Sequence, residues 1–137
     1  MDFIIALHKY LSESAKLNEC ISNRLYPLLL PQQPKLPAIV YTPLSASYGR
    51  ALQKETGFVK ERVQFSMHDK TYGKARELSR VLKGLLKDFK GNMNGINVQA
   101  THLVNDISSN TNTAARYSAE EYICIIEYEF NYTEQEE

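Results

Sequence analysis

The sequence predicts a single α+β domain: a mainly antiparallel sheet with one long helix packed across a face, in the order helix, strand, strand, helix, strand, strand. Three observations lead there. The 137 residues suit one domain with one real core. From Phe58 to Lys90 a period of two turns directly into a helical period. Two later stretches, Ile96 to Ile107 and Glu120 to Tyr132, again alternate strand-fashion.

The Phe58–Lys90 unit organises the rest. Val59, Glu61, Val63, Phe65 and Met67 fall on one strand face, with Lys60, Arg62, Gln64, Ser66 and His68 on the other. Ala75, Leu78, Leu82, Leu85, Leu86 and Phe89 then form an apolar helical stripe. Each element has one apolar side, and each buries it against the other. Asp69 or Thr71 caps the helix, which ends at Gly91, with Gly95 in a turn beyond. Gly84 lies mid-helix at a cost of about 1 kcal/mol relative to alanine, which points to something packing close there.

Ahead of this unit, Asp2 to Ser14 reads as a helix with Phe3, Ile4, Leu7, Tyr10 and Leu11 on one side and Asp2 as its cap. A short helical turn follows over Ala15 to Ile21. Prolines at 31, 34 and 37 make the next link extended and irregular. Leu36 to Leu44 is a strand bracketed by Pro37 and Pro43, which fits a sheet edge. Ser45 to Gly57 and Ser108 to Ser118 read as two long polar loops of the kind that carry function. Ile96, Val98, Ala100, His102 and Val104 share a face of the next strand. In the last strand Tyr122, Cys124, Ile126, Tyr128 and Phe130 face the core, opposite a mixed row of glutamate and isoleucine. Residues 1–132 make the domain and 133–137 a frayed tail.

Sixteen basic and sixteen acidic residues cancel, which argues against charge-driven binding of nucleic acid. The charge is unevenly placed. Lys70 to Lys90 holds seven basic residues and two acidic ones, while Ala119 to the end holds seven glutamates and no lysine or arginine. Such opposed segments can meet between neighbouring copies. Cys20 and Cys124 lie in no metal-ligand or CxxC spacing and read as reduced thiols, Cys124 inside a strand. No apolar run is long enough for a bilayer, and the acidic, briefly apolar start is unlike a secretory signal. The three histidines form no ligand pair, no serine stands in GxSxG, and no glycine cluster cradles phosphate. No cofactor and no catalytic residue is expected. The basic helix could touch phosphates, but the aromatic signature of an RNA-binding sheet is missing.

Several stretches together resemble the tail-completion, or tail-terminator, proteins of long-tailed bacteriophages. They are Asn23-Arg24-Leu25-Tyr26-Pro27 after the first helix, the proline-led strand Leu36-Pro37-Ala38-Ile39-Val40-Tyr41, and Val63-Gln64-Phe65-Ser66-Met67-His68-Asp69 leading into a helix with Ala75 and Leu78. A closing strand rich in isoleucine, tyrosine and glutamate completes the likeness. The resemblance implies a non-enzymatic virion protein made in the host cytoplasm. It would form a ring, typically a hexamer, that caps the head-proximal end of the tail tube. The implied partners are further copies, the tail tube protein and the head connector, with DNA passing through the ring and no membrane. Tyr48, Arg50, Lys54 and Arg116, on the two polar stretches, are candidate contact residues. So are Arg76, Arg80, Lys83 and Lys87 on the basic helix, set against Glu127 and Glu129 of a neighbour. A head-completion ring and a small nucleic-acid-binding module are the alternatives.

Overall fold

The computed structural model describes residues 2–32, 35–51, 54–110 and 122–133. Three helices, α1 (Phe3–Ser12), α2 (Ala15–Ile21) and α3 (Tyr72–Leu86), lie with six strands. The strands are β1 (Leu25–Pro27), β2 (Ala38–Ala51), β3 (Lys54–Asp69), β4 (Gly91–Met93), β5 (Ile96–Asn110) and β6 (Tyr122–Thr133). They form one mixed sheet in the order β1-β2-β3-β6-β5-β4, parallel only between β1 and β2.

The core follows the predicted faces. Val59, Val63, Phe65 and Met67 of β3 are buried, as are Cys124, Ile126, Tyr128 and Phe130 of β6 beside them. Ala75, Leu78, Leu82 and Leu86 of α3 close over both strands. The Thr71 hydroxyl, not Asp69, caps α3, accepting from Lys74 N–H at 3.3 Å. Asp2 caps α1 in the same way, accepting from Ile4 N–H at 3.4 Å. The helix α1 seats itself by stacking Phe3 on Tyr132, ring centres 4.4 Å apart and nearly parallel. It is tied to α3 where Tyr10 donates to the Leu85 carbonyl at 3.1 Å. Glu61 shares the buried face of β3, and its carboxylate accepts from the Tyr132 hydroxyl at 2.7 Å. A buried carboxylate needs such a donor, because desolvation otherwise penalises its charge.

Several expectations are corrected. The sheet has six strands, not four, because β1 and β4 are three residues long and too short to show a period. Ser45 to Gly57 is not a loop: β2 and β3 continue through it as a long hairpin, with Arg50 opposite Glu55 and Ala51 opposite Lys54. Register shifts between Pro43 and Ser45 and between Tyr48 and Arg50 break the alternation that would have revealed it. In the same way β5 runs on to Asn110, into the expected second loop, whose later part lies outside the described residues. A register shift between Val98 and Ala100 also ends the predicted face of β5. Thr101 takes the inward position, its hydroxyl donating to the Phe89 carbonyl at 3.1 Å, and His102 and Val104 are exposed. The helix α3 stops at Leu86 rather than Gly91, since Asp88 turns the chain at φ +51° and Gly91, at φ +121°, opens β4.

Candidate interface surfaces

All three helices cover one face of the sheet. On the other face, Gln64, Ser66 and His68 of β3 and the neighbouring Ile123, Ile125, Glu127 and Glu129 of β6 form a half-buried row. Glu129 pairs across the strands with Arg62 at 3.7 Å. Glu127 and Glu129 therefore stand on the face of β6 opposite the buried Tyr128 and α3.

On α3, Lys83 Nζ reaches the Asp106 carboxylate at 2.7 Å and Arg76 reaches it at 4.0 Å. These two expected contact residues thus have a partner in their own chain. Arg80 and Lys87 are exposed, and their side chains make no hydrogen bond or ion pair with a described residue. Gly84 has nothing within 4 Å of where a Cβ would stand, so no described residue packs close there. Instead, Gly84 borders a groove of about 410 Å³ between α3 and β5, floored by Leu103 and Tyr128 and rimmed by Arg80 and Lys87. Burial and the nearby Asp106 carboxylate push the Tyr128 hydroxyl up to about 12, so this floor is a neutral, protonated phenol.

The long hairpin holds Tyr48, which is half exposed, and carries Arg50 and Lys54 at paired positions near its tip. It projects past the end of β6, where Phe58 pairs with Thr133. Arg116 lies outside the described residues, but the strand ends that flank its segment, Asn110 and Tyr122, pair at the opposite end of the sheet. The hairpin tip and the strand ends Asn110 and Tyr122 therefore lie at opposite ends of the sheet.

Sequence reasoning missed the most exposed apolar group. Leu28 and Leu29, just after β1, are 61% and 80% exposed. Leu28 holds a left-handed φ of +68°, pinned by a 2.9 Å bond from its N–H to the Tyr41 carbonyl. The signal was present as Pro27-Leu28-Leu29-Leu30-Pro31, three leucines held between two prolines.

Among the described residues no group of three or more His, Cys, Asp or Glu side chains could hold a metal ion. No helix among them is long and apolar enough to cross a membrane. A second cavity, of about 550 Å³, is lined by Cys20, Asp69 and Lys74. Burial, then Glu77 and Glu19, push the Cys20 thiol up, which keeps it protonated and a poor nucleophile. His8 is taken up by Tyr41, its Nδ1 lying 2.8 Å from the hydroxyl.

No protein-family model matches the sequence, and no curated protein does. Solved structures do match in fold. A chain from the virion of a native gene transfer agent particle aligns over 94% of this chain and 92% of its own, at TM-score 0.75 and 8% identity. A second solved chain aligns over 98% of this chain and 96% of its own, at TM-score 0.53 and 12% identity. At such identities the likeness is one of fold.

Proposed function

We propose that this protein is a structural virion component that forms a ring at the head-proximal end of a phage-type tail tube, ending tube growth and joining tail to head. The observation that carries the reading is the end-to-end fold match with a chain of a phage-like virion particle. It agrees with the residue-level resemblance of the Asn23–Pro27, Leu36–Tyr41 and Val63–Asp69 stretches to tail-completion proteins. Two physical features support it. The strand β2 is covered by β1 only along Ile39–Tyr41, and beyond Ala100 no described strand pairs with the outer side of β5. Among the described residues, both flanks of the subunit therefore offer unpaired backbone to neighbours. Its two ends differ as well, with the hairpin of Tyr48, Arg50 and Lys54 at one and the paired strand ends Asn110 and Tyr122 at the other, which suits a part set between two unlike partners.

Electron microscopy of a lysate from a phage or prophage lacking this gene tests the reading. Filled heads beside unjoined tails, some of abnormal length, are expected. Leaking heads beside normal tails would move the protein to a head-completion ring, and intact virions would refute a neck role altogether.

A further inference from the structure

The proposed ring leaves open what one subunit holds of the next, and two features that the single chain does not use fit each other. The first is the leucine turn after β1, on one edge of the sheet. Its side chains expose an apolar area on the order of 200–300 Å², reaching only the lower bound of the roughly 300–600 Å² of an ordinary monomer's largest patch. An apolar turn held in a left-handed conformation and aimed at solvent is costly unless something covers it. The second is the groove beside Gly84, under the opposite edge. A glycine in mid-helix weakens the helix, yet among the described residues nothing occupies the space it leaves.

The sheet register puts the two at one height. Pro43 lies opposite Val63, Val63 opposite Tyr128, and Tyr128 opposite Leu103, a single row across four strands. Leu28 is bonded to Tyr41, two residues from that row, a distance of about 7 Å along the strand. A rotation about an axis roughly along the strands therefore brings the turn of one copy to the groove of the next with little rise. That is the condition for a head-to-tail contact to close into a ring rather than run on as a filament.

We infer that the Leu28–Leu29 turn of one copy docks into the groove formed by Gly84, Leu103 and Tyr128 of a second copy. This inference rests on the ring proposed above. The polar groups also agree. Pro27 and Pro31 have no N–H, so the turn offers mostly carbonyl acceptors, and Arg80, Lys83 and Lys87 supply donors around the groove beside the single Asp88 carboxylate. The apolar turn is about a third of the roughly 800 Å² per partner that a stable dimer buries. A single such contact is transient but lasts long enough for crosslinking to trap it, and it gains strength when the ring closes.

The test uses the purified full chain, crosslinked and read by native mass spectrometry. Leu29→Asp spoils the turn, and Gly84→Trp fills the groove; Leu103→Glu is a second groove variant. All three positions are exposed, so each variant keeps the wild-type circular dichroism. The wild type gives a closed oligomer and each variant alone stays monomeric. A mixture of Leu29→Asp with Gly84→Trp gives a one-to-one dimer and nothing larger, because only one intact turn meets one intact groove. Oligomers unmoved by every variant overturn this contact, assign the groove to a different protein and leave the ring standing. A mixture that stays monomeric overturns the contact as well. A wild-type chain with no species beyond the monomer refutes the ring itself.

Discussion

Gly84→Ala separates what the fold needs from what assembly needs. The residue lies in α3 with ordinary helical backbone, and a Cβ there meets nothing within 4 Å. The methyl group therefore causes no clash, and the substitution recovers the helix-propensity difference of about 1 kcal/mol between glycine and alanine. For a chain of this length that corresponds to a rise in melting temperature of about 3–4 °C. Urea unfolding of the purified chain reads it directly: the midpoint moves up while the slope stays fixed. A chain that gains stability yet assembles less well is the signature of a glycine kept for a neighbour. Unchanged or lowered stability would refute the reasoning, because it would mean that the fold itself requires a glycine at this position.

Leu82 is fully buried between α3 and the sheet, so Leu82→Ala costs about 2–5 kcal/mol in the same urea assay; a loss below about 0.5 kcal/mol would mean that the helix is not packed there. Removing the cap with Thr71→Ala costs about 1 kcal/mol and frays the start of α3, visible as faster amide exchange at Lys74. A double-mutant cycle on Lys83 and Asp106 gives a coupling below about 1 kcal/mol that fades in salt, because both side chains are about 30% exposed. Tyr128 makes stability fall at alkaline pH. Its folded value, about 12, lies above the ordinary 10, so its contribution is complete below pH 10 and is lost as pH rises through 12. Melting temperature against pH checks this, and Tyr128→Phe should flatten that part of the profile.

The sequence made the core of this fold legible and its edges obscure. Val59 to Met67 and Cys124 to Phe130 alternate cleanly because each strand has a strand on both sides, helices over one face and solvent on the other. Where these conditions fail, the period fails. The arms of the long hairpin pair mainly with each other and read as a loop, and β5 changes face at a register shift that no residue type announces. The charges of α3 were legible, but their partner was not. Asp106 is distant from α3 in sequence and comes beside Lys83 only because β5 folds back along β6. The leucine turn was overlooked for the opposite reason. A run of apolar residues is ordinarily read as buried, and only the structure shows Leu29 at 80% exposure.

The strand β6 occupies the middle of the sheet, between β3 and β5, although it is the last of the six to be synthesised. Until it leaves the ribosome, β3 has an open edge, and Phe3 lacks both Phe130 and Tyr132, the rings against which it packs. The earliest helix thus waits on nearly the latest residues. A fragment cut short before β6 has no closed core and presents no finished edge to a neighbour. In a ring of the kind proposed, this arrangement would inspect its own parts: only a chain translated through β6 acquires the finished sheet.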